Sequence, residues 1–509
     1  MILNLLVTGS VMGLAALAPL ATLIGRRLVL FGLAPLGGAL IAAWSAEAEL
    51  LFGGAFVVWF GGIALALNAA ALGISLARSR SKQGPLQLQP SPPAGTVPTP
   101  PHGPGRTSRI GAAGAAVVPA LMLGLVMLVP LFLLRIGNVA HDANAIWLFH
   151  GAWILAGHKG YLASLTSSVY AFSNPSYPPL ASSAAALSGV FASSLSSRDG
   201  AAIIALLNAC ALYVVGLGIL QVVPSPSRFN RALVSLLAMS VSLLGFAFDG
   251  PYSVAGDADL LWSAAAVAAI VYGLILPSRP QHLRVAILCV LVASFTKSEG
   301  LVAAALILVL MGVRQWVNRH PCGRSVTRRA SLAHLHRGLS AGPILPKYFP
   351  LAAWIVGVGL LSGLMWFEVI HLLGVGNRFF IATSHKEPTL FRLGAVAQYL
   401  EPYLPLVLFA SCVELVGSRR WLGQRQTLGL GSAWYLWIAV AGYLAALVVT
   451  YAIGGLGIRG WLDNSLGRTL VFVELCLFVQ MGIWCVVGGD TLAKRLRNRQ
   501  LDAGPPVQA

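Results

Sequence analysis

Residues 283–313 read LRVAILCVLVASFTKSEGLVAAALILVLMGV. Two continuous apolar runs meet at a short polar turn, Thr296-Lys297-Ser298-Glu299-Gly300. A run that is apolar on every face marks a helix buried in lipid or in a large core, whereas a barrel strand alternates apolar and polar residues. Basic residues stand at both ends, Arg279 and Arg284 before and Arg314 after. The chain must therefore leave one side and come back to it within this stretch. Each half is about 14 residues, roughly 21 Å at 1.5 Å per residue, which is shorter than a ~30 Å hydrocarbon core. The turn at Lys297 and Glu299 is expected below the outer surface, in a water-filled cavity.

The same texture continues in both directions. Apolar residues make up 57% of the 509 positions, charged residues 10%, and the mean hydropathy is +0.79. A soluble chain carries roughly 25% charged residues to cover its surface. The expected fold is an all-α polytopic membrane protein of about thirteen spans, at 2–24, 28–45, 50–77, 111–135, 200–222, 232–249, 260–276, 283–296, 300–313, 349–371, 396–416, 431–452 and 467–489. Residues 179–195 are too constrained by the flanking spans to cross, and form a short helix embedded from the outside. Pro178 and Pro179 open it, as proline does in a first helical turn.

Charge sets the orientation. Twenty-five of the 34 Lys and Arg residues fall in one alternating set of loops, the cytoplasmic set by the positive-inside bias. This explains the net charge of +18 without any nucleic-acid partner. The layout is a three-span unit over 1–77, a Pro-rich basic linker over 78–110, and a core over 111–313 with large outer loops. A basic loop (314–348), C-terminal helices (349–489) and a basic tail (490–509) follow. Arg26 and Arg27 come after the first apolar run, so it reads as a retained span and not as a cleaved signal. The six cysteines have no framework spacing and predict no disulfide.

With this topology the outer side holds Asp142, Asp249, Asp257, Asp259, Lys297, Glu299, Arg378, His385, Lys386, Arg459 and Arg468. Ionisable residues at membrane depth are costly and mark functional positions. Asp142 follows span 111–135, and the apolar stretch behind it, with Trp147, His150 and Trp153, suits a helix lying in the interface. Asp142 fits a general base, a metal ligand or a helix N-cap. Asp257 and Asp259 form a D-x-D pair at the start of span 260–276. The pair fits a divalent cation, polar substrate groups, or a helix cap on an exposed loop. Lys297 fits a phosphate contact or a structural pair with Glu299. Arg468, which opens span 467–489, fits a phosphate contact or a snorkelling arginine. No Walker A loop, HExxH or GxSxG motif occurs.

The order of these motifs carries a resemblance. His141-Asp142-Ala143-Asn144 with Trp147 comes first, then Asn174-Pro175-Ser176-Tyr177-Pro178, then Gly256-Asp257-Ala258-Asp259-Leu260. Thr296-Lys297-Ser298-Glu299-Gly300 and finally Ser465 with Arg468 complete the series. Over roughly residues 111–489 the chain resembles the bacterial polyprenyl-phosphate-sugar glycosyltransferases of the GT-C superfamily, which include protein O-mannosyltransferase-like and aminoarabinose-transferase-like enzymes. The resemblance implies juxtamembrane helices in the first outer loop and an active site on the extracytoplasmic face of the plasma (inner) membrane. It implies Asp142 as catalytic base, Asp257 and Asp259 as acceptor- or cation-positioning groups, and Lys297 and Arg468 as donor-phosphate contacts. His141, Asn144, Tyr177, Glu299 and Ser465 are implied as supporting residues. The implied partners are a polyprenyl-phosphate-linked sugar, a cell-envelope glycan, lipid or protein acceptor, and membrane lipids. No cofactor is required, and a divalent cation is admitted. The N-terminal three spans lie outside the resemblance. The competing reading is a secondary transporter or lipid-linked-sugar flippase, which also uses intramembrane charges and broken helices.

Overall fold

The computed structural model describes residues 2–25, 27–82, 139–192, 194–222, 256–319, 363, 365–375, 387–427, 431, 434–454 and 456–502. Among these the regular structure is helical, with no strand. The N-terminal unit is α1 (Ile2–Ile24), α2 (Arg27–Phe52) and α3 (Phe56–Lys82). The next described stretch holds α4 (Ala143–Leu155), α5 (His158–Thr166) and α6 (Leu180–Phe191). Then come α7 (Ser197–Leu220), α8 (Asp259–Ile275), α9 (Pro280–Thr296) and α10 (Ser298–Arg319). The C-terminal part is α11 (Thr389–Leu400), α12 (Leu404–Thr427), α13 (Trp434–Ile453) and α14 (Ile458–Asp502).

Among the described residues, eight helices are long and apolar enough to cross a membrane, and four further apolar helices are shorter. The expected spans 111–135 and 232–249, and most of 349–371, lie outside the described residues. α7 and α8 form the centre and are buried along nearly their whole length. Both are rich in alanine, and small residues let helices approach closely where lipid offers no hydrophobic drive between them. At the periphery α3 shows Val57, Val58, Leu65 and Leu72 on its surface, as a lipid-facing helix does.

Several boundaries differ from those the sequence suggests, each for a local reason. α2 does not stop near residue 45. It runs through Glu47 and Glu49, because no breaker intervenes until Gly53 and Gly54, whose φ of +72° and +87° end it. Both glutamates are buried there. The break in 283–313 is a single residue: Lys297 is extended (φ −158°, ψ 158°) between α9 and α10. The two halves are unequal, 17 and 22 residues, so the second is long enough to cross. The expected span 396–416 is divided by a 3-10 turn at Glu401–Tyr403, where Pro402 cannot donate a helical hydrogen bond. α14 begins at Ile458, nine residues earlier than expected, so Arg468 lies well inside the helix.

Candidate functional site

The site forms where α4, α8, the α9–α10 break, α13 and α14 converge. Gly256 introduces its acidic pair. Its φ of +97° suits glycine, and a Cβ there would stand 2.8 Å from that of Ala201. Asp257 then turns inward, fully buried. Its Oδ1 accepts the Ala258 amide at 2.7 Å, and Asn208 on α7 donates to its carbonyl at 3.1 Å. Asp259, the first residue of α8, is also fully buried. At the α9–α10 break a Cβ on Gly300 would collide with the Ala293 carbonyl, so glycine is required for the two helices to close behind Lys297.

Four carboxylates and two cations meet here. Arg468 Nη1 donates to Asp142 Oδ2 and, at 3.0 Å, to Asp257 Oδ2. Its Nε lies 3.9 Å from Asp259 Oδ2. Neither Nε nor Nη2 makes a hydrogen bond to a described residue. Lys297 Nζ donates to Asp259 Oδ1 at 2.6 Å and lies 3.6 Å from Glu299 Oε1. Asp259 Oδ1 also accepts from Trp262 Nε1 at 3.2 Å, so this carboxylate lies between both cations. The Lys297 ammonium is 5.4 Å from the centroid of the Tyr177 ring, which stacks on Trp147 at 5.5 Å and 17°. Tyr177 reaches this place because Asn174 takes a left-handed turn (φ 48°), which asparagine tolerates, and accepts the Tyr177 amide at 3.0 Å.

These groups border a cavity of about 310 Å³. Its lining is charged in part and apolar in part, the apolar part including Val302 of α10 and Ala446 and Leu447 of α13. Burial, reinforced by the charge on Asp259, pushes the Asp257 carboxyl up to about 6 despite the opposing pull of Arg468 and Lys297. Burial likewise holds the Tyr177 phenol above its ordinary range, so it faces Lys297 as a neutral ring.

Asp142, Tyr177, Asp257, Lys297, Glu299, Ser465 and Arg468 all line this cavity. Asp259 stands directly behind the wall. His141 is exposed at the rim with Nδ1 3.7 Å from Asp142, and Asn144 is exposed and does not line the cavity. The local readings of several residues do not hold. Asp142 has helical φ and ψ of −64° and −34° and makes no capping hydrogen bond. Arg468 does not reach for the surface but is held by carboxylates. Lys297 does pair with Glu299, but Asp259 is its closer partner. Arg459 lies over the Phe391 ring and outside the cavity. Asp249, Arg378, His385 and Lys386 lie outside the described residues.

A further wall escaped the sequence reading. Tyr443, Leu447 and Tyr451 follow one face of α13, and Trp461, Ser465, Arg468 and Thr469 one face of α14. Spacings of four, seven and eight residues mark such a face. The signal was legible once the start of α14 is set at Ile458. A D-x-D cation seat fits less well. Asp257 and Asp259 are turned to Arg468 and Lys297, and among the described residues no three His, Cys, Asp or Glu side chains are grouped to hold a metal ion. The chain matches no protein-family model, no curated protein and no solved structure.

Proposed function

We propose that this chain is an inverting glycosyltransferase of the plasma (inner) membrane. In this reading about thirteen spans set its active site on the extracytoplasmic side, and it moves a sugar from a polyprenyl-phosphate donor to a cell-envelope acceptor. One observation carries the reading: residues from the separate motifs, as far apart as Asp142 and Arg468, border a single cavity lined by both charged and apolar side chains. An amphipathic donor, with a charged phosphate on a hydrocarbon chain, has that same division.

Asp142 is the base. Its carboxylate accepts the proton of the acceptor hydroxyl as that oxygen bonds to the anomeric carbon. The bond from that carbon to the phosphate oxygen breaks on the opposite face, and polyprenyl phosphate leaves with the electron pair. General-base help of this kind contributes about 10²–10⁴ in rate. The leaving phosphate needs charge stabilisation and no proton. Arg468 supplies it through Nη2, while its buried Nε stays turned to Asp259. Lys297, spent on Asp259, acts by balancing that buried charge.

A second reading, a cation-coupled transporter or flippase, draws support from the surplus of carboxylates, four against two cations. The two readings part on one experiment. Purified protein in lipid is offered a panel of polyprenyl-phosphate sugars and a membrane lipid extract as acceptor, and wild type is compared with Asp142→Asn. Transfer by wild type alone, with donor binding kept in both, supports the transferase. Equal transfer by both removes Asp142 from the mechanism. No transfer by either, together with ion-dependent flux, replaces the transferase with the transporter.

A further inference from the structure

Outside the cavity, the described residues hold one fully buried cation that the proposed mechanism does not use. Arg392 lies on α11, a helix that contributes no residue to the cavity, and its side chain has no solvent exposure. It reaches into the turn between α13 and α14. Its Nε donates to the Tyr451 carbonyl at 2.8 Å, and its Nη1 to the Leu456 carbonyl at 2.9 Å. Nη1 also meets Glu387 Oε2 at 2.9 Å, and the same carboxylate oxygen accepts the Ile458 amide at 3.0 Å. Arginine and glutamate thus close both ends of one turn. They satisfy one of the last carbonyls of α13, the Leu456 carbonyl within the turn and the first amide of α14, and helix-end groups of this kind have no partner within their own helix.

What hangs from that turn is the cavity wall. The Tyr451 hydroxyl and Ser465 Oγ share a hydrogen at 2.8 Å, and the Tyr451 ring meets Trp461 edge-on at 4.6 Å. All three line the cavity, and Arg468 lies one turn beyond Ser465. We propose that Arg392, oriented by Glu387, is a positioning residue: it fixes the α13–α14 turn and so sets where Tyr451, Trp461, Ser465 and Arg468 stand against the bound donor. The functional half of this inference rests on the transferase reading; the structural half does not. Lysine cannot replace Arg392, because the turn is held by a fork of donors at fixed angles and an ammonium is a point.

The test uses the full chain in lipid, labelled with 5-fluorotryptophan and read by fluorine NMR, with Trp461 assigned through Trp461→Phe. Trp59, which donates to the Gly53 carbonyl in the N-terminal unit, is the internal control. In Arg392→Lys the Trp461 resonance is expected to shift or broaden while that of Trp59 stays fixed. The KM for the polyprenyl-phosphate donor is expected to rise roughly tenfold, since small misplacements of a binding group cost this much or more. A smaller fraction of folded protein would lower kcat and leave KM unchanged. Glu387→Gln keeps the side chain's size and an oxygen for the Ile458 amide, and should give the same pattern at lower amplitude. It serves as the test if Arg392→Lys does not fold. Unchanged Trp461 resonance and unchanged donor KM in a folded variant would overturn the proposal. If wild type transfers no sugar, the transferase reading falls, and the Trp461 resonance alone decides whether Arg392 holds the turn.

Discussion

Two of the places where the described residues bury a carboxylate among helices do so in opposite ways. At the crossing of α12 and α14, Glu414 accepts from Gln480 Nε2 at 2.7 Å and from Trp484 Nε1 at 2.6 Å. The donors are neutral, and a Cβ on Gly417 would run into the Trp484 ring, so the contact is tight. At the cavity, by contrast, Asp142, Asp257, Asp259 and Glu299 pair with full cations beside open space. Neutral donors closing on an acid join two helices. Opposed full charges around a void keep strong fields where a ligand can enter them, and low surrounding polarity strengthens those fields. Burial alone does not separate structure from chemistry; the partner's charge and the space beside it do.

Substitutions can break this contrast. The largest effect is expected for Asp142→Asn, a loss of sugar transfer of about 10²–10⁴-fold with donor binding retained. Next is Arg468→Met. It leaves three carboxylates facing one another without their shared cation, and removing one partner of a buried pair costs about 3–5 kcal/mol. Thermal unfolding in detergent reads this, and Arg468→Lys should recover part of the stability without the transfer activity.

Asp257 gives a subtler signature. Its carboxyl is raised from 3.8 to about 6 in the folded protein. Across that interval the folded chain holds a proton that the unfolded chain has released, so this residue's effect is to lower stability as pH rises from 3.8 to about 6, and then to level off. Asp257→Asn should flatten that part of the unfolding profile; an unchanged profile would mean that the carboxyl is not raised. Smallest of all, Glu414→Gln keeps an acceptor for Gln480 and Trp484. An interhelical hydrogen bond in a membrane averages about 0.6 kcal/mol, so the change in melting should be near that size. A large loss at Glu414 would put it on the same footing as the cavity acids.

Much of the fold was legible because lipid imposes a strong constraint: apolar length alone marks α1, α7 and α13. The break at Lys297 was legible for the same reason, since two charges cannot lie inside a lipid-exposed helix. The ends of helices were harder to read. Nothing in the residues around 45 says whether α2 stops before Glu47, because that depends on neighbours which cover the acid. The start of α14 was hidden by Arg459 and Asp463, charges that read as a loop but lie on the exposed side of a helix. For the site, residue type and order revealed its members but not their pairing. That Asp259 lies between Lys297 and Arg468 follows from the crossing of α8, α9 and α14, and no spacing in the sequence states it.

The two acids at the end of α2 bear on how such a chain is made. Helices enter the membrane in the order of synthesis, and a charged side chain left uncovered at the bilayer centre costs about 3 kcal/mol on the insertion scale, less toward the edge. Two neighbours of Glu47 and Glu49 belong to α5: Tyr161 beside both carboxyls, and His158, 109 positions later in the chain, whose ring contacts the Glu49 carbonyl. The first three helices therefore lack these two neighbours until α5 is made. The N-terminal unit is thus tied to α5 by the order of synthesis as well as by packing.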